Sequence, residues 1–297
     1  PPIDSRRPCV RSIFSDIGAP IRKATNDFVD FLVVDYGDFF EAVSNSILSV
    51  LVSLGRVLSD APPWLVLIVI GLIAYGASRR AGLSIAMVAA TWFIGALGLW
   101  EQAMQTIAIM LVSVLLAIVI GIPIGVSAAR SNRFRAIVNP VLDLMQTIPS
   151  FVYLIPAAML FGLGKVPAIL ATVIYATPPL IRLTDLGIRQ VDVEVVEAAR
   201  AFGATRWQIL KGVQIPLALP SIMQGINQTM MMALAMVVIA SMIGARGVGE
   251  TVLLGLQRND SGTGLIGGIA IVVLAIVFDR ISQSFGDRLQ AYRKVHH

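Results

Sequence analysis

Hydrophobic residues run in long blocks along this chain, and the blocks are closed by basic clusters or by proline. A transmembrane helix needs about 20 largely apolar residues in succession. By that measure the pattern predicts seven spans: Trp64 to Ser78, Ala81 to Trp100, Ala103 to Ala129, Pro149 to Leu163, Val166 to Leu183, Leu217 to Ile243 and Gly264 to Phe285. The fourth and fifth are interrupted by Pro149, Pro156, Pro167, Pro178 and Pro179, and an interfacial helix from Ala136 is a candidate lead-in to the fourth. Upstream, Ile47, Val50, Leu51, Leu54 and Leu58 recur at helical spacing within a stretch, Val43 to Leu58, that also carries Asn45, Ser46, Ser49, Ser53 and Arg56. One apolar face and one polar face predict a helix lying on the membrane surface. Asp60-Ala61-Pro62-Pro63 then breaks the chain.

Composition strengthens this reading. Of 297 residues 56% are hydrophobic and only 14% charged, against about 25% charged in soluble domains. The formal charge of +5 would raise nucleic acid as a partner in a soluble protein. Here the basic residues gather in loops instead, as they do on the cytoplasmic side of membrane proteins. With seven spans, Arg79/Arg80, Arg130/Arg133/Arg135, the 182–211 loop and Arg288/Arg293/Lys294 all fall on one side. The opposite side holds Glu101, Lys165, the loop with Arg246, Glu250, Arg258 and Asp260, and the acidic N-terminal region (Asp16, Asp27, Asp30, Asp35, Asp38, Glu41). The expected topology is an all-α multi-pass protein, N-terminus outside and C-terminus inside. Residues 1–62 form an extracytoplasmic region, 63–288 the transmembrane domain, and 289–297 a cytoplasmic tail. Residues 1–30 are charged and lack an apolar core, so no cleavable signal peptide is expected there.

The polar stretch before the sixth span carries the most information. Asp192 can cap a first short helix whose positive end suits Glu194. Val195, Ala199 and Phe202 share a face, and Gly203 fits the left-handed position that ends a helix. Thr205 with Gln208 three residues on is a capping-box pattern that starts a second helix. Pro216 is expected to end that helix and redirect the chain into the membrane. A helix–bend–helix in a cytoplasmic loop results, with Ala198, Ala199 and Gly203 small enough for another backbone to come close. An ordinary amphipathic loop would have the same shape.

Glu197-Ala198-Ala199, three residues, Gly203, nine residues and Val213-Gln214-Ile215-Pro216 resemble the EAA loop of ABC importer permeases, with Val213 and Ile215 as conservative departures from that family's Ile and Leu. Asp143 to Pro156, Pro178-Pro179-Leu-Ile-Arg182, and Asn227 to Ile243 are similar to the glycine betaine/proline betaine permease family, as is the long extension before the first span. The resemblance covers most of residues 60–285. It implies a type I ABC importer permease fold, in the bacterial cytoplasmic (inner) membrane. It implies a permease that pairs with a second copy of itself, docks two cytoplasmic ATP-binding subunits through a coupling loop at 189–216, and receives an osmoprotectant from a periplasmic or lipid-anchored binding protein. It further implies that Phe202 anchors in the ATPase, with Glu197, Arg200 and Arg206 as polar contacts and Ala198, Ala199, Gly203 and Pro216 shaping the loop. Closure of the ATPases would then switch the permease between its inward- and outward-facing states.

This chain is not expected to be an enzyme. It holds no G-x-x-x-x-G-K-[ST] run, so ATP and Mg belong to the partner subunits, and Gly244 to Gly249 reads as an outer loop. Cys9 stands alone, and His296 and His297 close the chain as a candidate tag remnant. No zinc site of the usual kind is expected. Polar residues inside spans are costly and often functional. This makes Gln224, Asn227, Gln228, Thr229, Ser241 and Tyr153 candidates for a translocation pathway, with bonds between helices as the alternative. Trp92, Phe93, Phe151 and Tyr175 could meet a quaternary ammonium or simply pack, and the Met230–Met232 run reads as helix packing. Choline, carnitine or another small solute such as an amino acid remain open as cargo. An ion-coupled secondary transporter would want acidic groups in mid-span, whereas Asp143, Asp185 and Asp279 are expected near span ends and Glu101 in an outer turn.

Overall fold

The computed structural model describes residues 18–294, with the side chains of 287 and 289–294 left aside. Cys9, Asp16, His296 and His297 lie outside the described residues. Among the described residues every regular element is helical: α1 (Gly18–Asp60), α2 (Pro63–Ser78), α3 (Ala81–Ala96), α4 (Trp100–Arg130), α5 (Asn132–Thr147), α6 (Leu154–Phe161), α7 (Lys165–Arg189), α8 (Val193–Ala201), α9 (Arg206–Ile209), α10 (Ile215–Ala240), α11 (Val248–Gln257) and α12 (Ser261–Lys294).

α7 is the centre of the bundle, buried along most of its length between α4 and α10. The two flanking contacts are made at glycines. At Gly125 of α4 a β-carbon would lie 2.6 Å from Thr184 Cβ and 2.8 Å from the Ile181 carbonyl, and at Gly187 of α7 it would lie 2.6 Å from Ser221 Cβ. Only a residue without a side chain lets these backbones come so close. Pro178 and Pro179 do not interrupt α7 as expected. Proline is tolerated inside membrane helices where neighbouring helices enclose the freed backbone groups, and α4 and α10 do so here.

The register of these contacts gives helix direction. Gly121 and Gly125 of α4 face Leu180 and Thr184 of α7, so α4 and α7 run parallel. Gly187 faces Ser221 while Gly225 faces Leu180 and Leu183, so α10 is antiparallel to α7. Asn227 meets Asp279, and Met223 lies against Gly286, so α12 is antiparallel to α10. Arg288 donates to the Gly76 carbonyl and thereby brings the end of α2 to the end of α12. The basic ends of α2, α4, α7 and α12 and the start of α10 therefore share one end of the molecule, as the charge pattern required.

The parallel run of α4 and α7 means that the chain between them must return across the protein. The expected fourth span, Pro149 to Leu163, is not a crossing helix. It is a single 3-10 turn, Ser150–Tyr153, followed by the 8-residue α6, which spans only about 12 Å. The return is completed by α5, set at 106° to it. Pro149 causes the break: it has no N–H to continue α5, and it disfavours the helical conformation at Ile148, which is extended (ψ 130°).

Among the described residues five helices are long and apolar enough to cross a membrane, α1, α4, α7, the α9–α10 rod and α12, with the α5–α6 pair as a sixth. α2 and α3 have 16 residues each, about 24 Å, and form a hairpin in which Ser84 Oγ donates to the Gly71 carbonyl at 2.7 Å. α1 is far longer than the amphipathic stretch read from the sequence, 43 residues with a kink at Tyr36. Its apolar stripe packs into the protein: Ile47 and Leu51 are buried, with Val43, Leu54 and Leu58 against the same core, whereas Val50 is 49% exposed. The stripe follows the α4–α6 surface rather than an ideal helical face.

One helix escaped the sequence pattern. The outer loop after α10 contains α11, where Val248 N–H donates to Thr106 Oγ1 of α4 at 2.9 Å. A β-carbon at Gly255 would stand 2.4 Å from the Gly264 nitrogen, so α11 and α12 meet glycine to glycine. At 10 residues the segment is too short for its periodicity to stand out. Glu101 likewise belongs to the first turn of α4 rather than to a loop, where a carboxylate suits the positive helix end.

Candidate functional site

The loop between α7 and α10 folds as its residues dictate. Asp192 Oδ1 accepts from Glu194 N–H at 2.9 Å and starts α8. Gly203 has φ +79°, its N–H donates to the Arg200 carbonyl at 2.9 Å, and Ala204 N–H donates to the Ala199 carbonyl at 3.1 Å. That pair of bonds is a Schellman end. The next helix opens on a complete capping box: Thr205 N–H donates to Gln208 Oε1 at 2.8 Å, and Gln208 N–H donates to Thr205 Oγ1 at 3.4 Å.

Pro216 does not do what its chemistry suggested. α9 passes through a π-helical turn, Leu210–Gln214, straight into α10, with Pro216 in the first turn. Proline clashes with the carbonyl four residues before it. The wider π turn moves that carbonyl aside and lets the helix continue, and such turns are frequent at functional sites. The result is one rod from Arg206 to Ile243, with its tip in the loop and its shaft against α7. Leu210, buried with Ile188, Leu180, Ala218 and Ile222, seats the rod on α7.

The tip is apolar and bare. Phe202 is 91% exposed, and Val193, Val195 and Trp207 are exposed beside it. Glu197, Ala198, Arg200, Gly203 and Arg206 are exposed, and Ala199 is half-buried. No side chain reaches within 4 Å of a β-carbon at Gly203, so glycine is needed there for its backbone angle and not for room within this chain. The Trp207 ring has Lys211 Nζ 4.7 Å from its centre and the Arg130 guanidinium at 6.0 Å, which couples the tip to the end of α4.

Behind the tip lies a charge cluster that sequence reading missed. Asp185, 5% exposed, is paired with Arg189 Nε at 2.7 Å and Arg135 Nε at 2.9 Å. Arg189 also donates to Asn132 Oδ1 at 2.8 Å and to the Ala128 carbonyl at 2.7 Å. α4, α5 and α7 are thus tied together below the loop. The Asp185/Arg189 spacing of four was the available signal. Arg182 and Asp143 form a second, more exposed pair at 2.5 Å.

The candidate pathway residues divide. Gln224 and Gln228 are exposed on α10 and Asn227 is half-buried between them. Asn227 Nδ2 donates to Asp279 Oδ1 of α12 at 3.2 Å, and Gln283 Nε2 donates to the same oxygen at 2.7 Å. Asp279 lies about two turns before Gly286, where the apolar part of α12 ends, while the helix itself continues to Lys294. Thr229 is fully buried. Ser241 is buried and donates to the Val238 carbonyl at 2.7 Å, and Tyr153 donates to the Met145 carbonyl at 2.7 Å across the α5–α6 bend. Those last two serve their own backbone. Trp92, Phe93, Phe151 and Tyr175 sit on three different elements, and no ring contact among the described residues joins two of them.

The chain is similar to known proteins over most of its length. Residues 121–291 match the family model described as "Binding-protein-dependent transport system inner membrane component". The chain is 46% identical over 267 residues to the glycine betaine/proline betaine transport system permease protein ProW of Escherichia coli, covering 90% of this chain and 75% of that one. It is 45% identical to the glycine betaine/carnitine transport permease protein GbuB of Listeria monocytogenes, over 92% of this chain and 97% of that one. It is 43% identical to the glycine betaine transport system permease protein OpuAB of Bacillus subtilis, over 89% and 94%. A chain of the MetNI methionine ABC transporter in an inward-facing conformation shares the fold, with a TM-score of 0.56 at 24% identity over 63% of this chain and 92% of that one. The chain therefore belongs to the family of binding-protein-dependent transport system inner membrane components.

Proposed function

We propose that this chain is the permease of an ATP-driven importer for glycine betaine and related quaternary-ammonium osmoprotectants. The observation that carries the coupling role is the single rod from Arg206 to Ile243, with exposed Phe202 and Trp207 at its tip. A surface that apolar on a loop between membrane helices calls for a partner. Two cytoplasmic subunits that bind ATP and Mg take up the tips of two copies of the chain. Glu197, Arg200 and Arg206 supply the polar rim, and Ala198, Ala199 and Gly203 keep the approach open. Closure of the ATPase pair moves the rods and switches the permeases between states. Gln224, Asn227 and Gln228 line the passage; Thr229, Ser241 and Tyr153 support the helices. Residues 1–62 form an N-terminal region whose stretch from Val43 to Leu58 packs against the permease core, and 289–297 form the cytoplasmic tail.

The solute rests on what the relatives are named for. Carnitine is the second reading, favoured by the name of the Listeria relative. The test is ATP-driven uptake of labelled glycine betaine into vesicles holding this chain, its ATPase subunit and its binding protein. Uptake that needs ATP and is competed by excess carnitine selects the broader solute range. ATP-dependent coupling with no quaternary-ammonium uptake discards the solute, and no association with any ATPase subunit discards the whole reading.

A further inference from the structure

α10 and α12 leave between them a cleft of about 290 Å³ lined by Pro220, Met223, Gln224, Asn227, Ser282 and Gln283. Its character is wrong for lipid contact. Gln224, Gln228 and Gln283 are exposed on the face of a single chain, yet they belong to helices that cross the membrane. Side chains of this kind in such helices face a water-filled cavity or another helix.

Three features show what the cleft is built to hold. Asp279 lies against it, hydrogen-bonded to two of its lining residues through Oδ1. Asp143 and Asp185 each have arginine partners, but no lysine or arginine pairs with Asp279 among the described residues. Ser282 lines the cleft at only 6% exposure, and its Oγ has no hydrogen-bond partner. Asn227 spends its amide group on Asp279 and leaves Oδ1 buried and unpartnered in the same cleft. With the Asp279 carboxylate, these oxygens concentrate negative potential at one place between α10 and α12.

A carboxylate with no cation among the described residues, beside oxygens of partial negative charge, selects for positive charge, and a quaternary ammonium, which has no N–H to donate, is held by that charge alone. Divalent metals are not the match: among the described residues no three His, Cys, Asp or Glu side chains come together, and such ions take six or more oxygens with several carboxylates. We propose that Asp279, with Asn227 and Ser282, forms a transient site for the quaternary-ammonium end of the solute as it crosses the membrane. This rests on the osmoprotectant reading above. The cleft has no aromatic ring to add a cation–π contribution. Its hold is therefore weak, as a passage requires: strong enough to admit the solute and loose enough to release it. A half-buried carboxylate serves that purpose without trapping the zwitterion.

The test compares the wild type, Asp279→Asn and Asp279→Glu in vesicles with the ATPase subunit and binding protein. Labelled glycine betaine uptake and binding-protein-stimulated ATP hydrolysis are measured together, with the melting temperature of each purified complex. Asn keeps the size and can still accept from Asn227 and Gln283, so only charge is removed. The expected result is at least a tenfold loss of uptake in Asp279→Asn, recovery of most of it in Asp279→Glu, and unchanged stimulated hydrolysis and melting temperature. Equal uptake by wild type and Asp279→Asn overturns the proposal. Loss of uptake, hydrolysis and melting temperature together overturns it in favour of a clamp between α10 and α12. If replacing sodium and potassium by N-methylglucamine reduces wild-type uptake to the Asp279→Asn level, the ligand is an alkali ion and the solute contact is wrong. A wild type with stimulated hydrolysis but no quaternary-ammonium uptake overturns this site through the solute reading itself, which is distinguishable because the variants are then beside the point.

Discussion

Arg189 Nε lies 2.7 Å from the carboxylate of Asp185, its neighbour one turn back on α7, and the same guanidinium reaches the Ala128 carbonyl at the end of α4. Asp185 is buried and also holds Arg135 of α5. Removing the acid strands two arginines at the crossing of three helices. Breaking a buried pair typically costs about 3–5 kcal/mol, but the Arg135 and Arg189 side chains are 41% and 27% exposed, so solvent recovers part of it. Asp185→Ala is expected to destabilise the chain by about 1–3 kcal/mol, read as a lower melting temperature of the purified protein. Asp143→Ala, which breaks the more exposed pair with Arg182, should cost about 1 kcal/mol or less.

Gly203→Val tests the coupling loop. At φ +79° a residue with a side chain is strained by about 1–2 kcal/mol, and a β-branched one more so. The bend will reopen and Phe202 will leave its position. Uptake should fall at least tenfold while the amount of protein in the membrane is unchanged. A Gly203→Val variant that transports normally would show that the left-handed bend is dispensable.

The π turn makes a separate prediction. Pro216→Ala restores an N–H and removes the ring that Leu210–Gln214 accommodates. A relaxed α-helical turn would rotate α9 relative to α10 by about one residue, roughly 100°. Thermal stability should be equal or higher, and coupling of ATP hydrolysis to uptake should drop. Hydrogen exchange across 210–216 would detect the change of turn directly.

Helix contact depends on Gly125. Gly125→Ala puts a methyl group 2.6 Å from Thr184 Cβ, and overpacking of this kind costs about 1–3 kcal/mol. Gly82→Ala is the control, since no atom lies within 4 Å of its added carbon. It should be neutral or stabilising by up to about 1 kcal/mol. Equal melting temperatures for the two variants would contradict the close α4–α7 packing.

The start of α12 carries a pH dependence. Thr263, through its hydroxyl and then its N–H, and to a lesser degree Gly262 N–H and Arg258, hold the Asp260 carboxyl below the usual aspartate range. A carboxyl whose folded value is depressed stabilises the fold above its unfolded value, and that contribution is lost as pH falls through the folded one. Amide exchange at Gly262 and Thr263 should therefore accelerate only on the acid side of the ordinary aspartate range. Asp260→Asn should abolish that acid limb.

Much of the loop was legible because its signals are local. Asp192, Gly203 and the Thr205/Gln208 pair each act within four residues, and each formed the bond its chemistry required. Pro216 was misjudged because its effect depends on the turn before it, and a π turn has no distinctive residue pattern.

The sequence alone determined that this is a multi-pass helical protein with its basic residues at one end, since hydrophobic block length and charge asymmetry are one-dimensional properties of the chain. It also determined the helix–bend–helix of the 189–216 loop, through capping and a left-handed glycine. Tertiary structure decided the rest. The parallel packing of α4 and α7 at Gly121 and Gly125 requires the chain between them to return across the protein, and Pro149 breaks that return into a bent pair. Asp185 became a clamp, and Asp279 a carboxylate without a cation among the described residues, because helices distant in sequence brought arginines to the one and not to the other. Pairing across space fixes the charge environment of each acid, and no window along the chain contains that pairing.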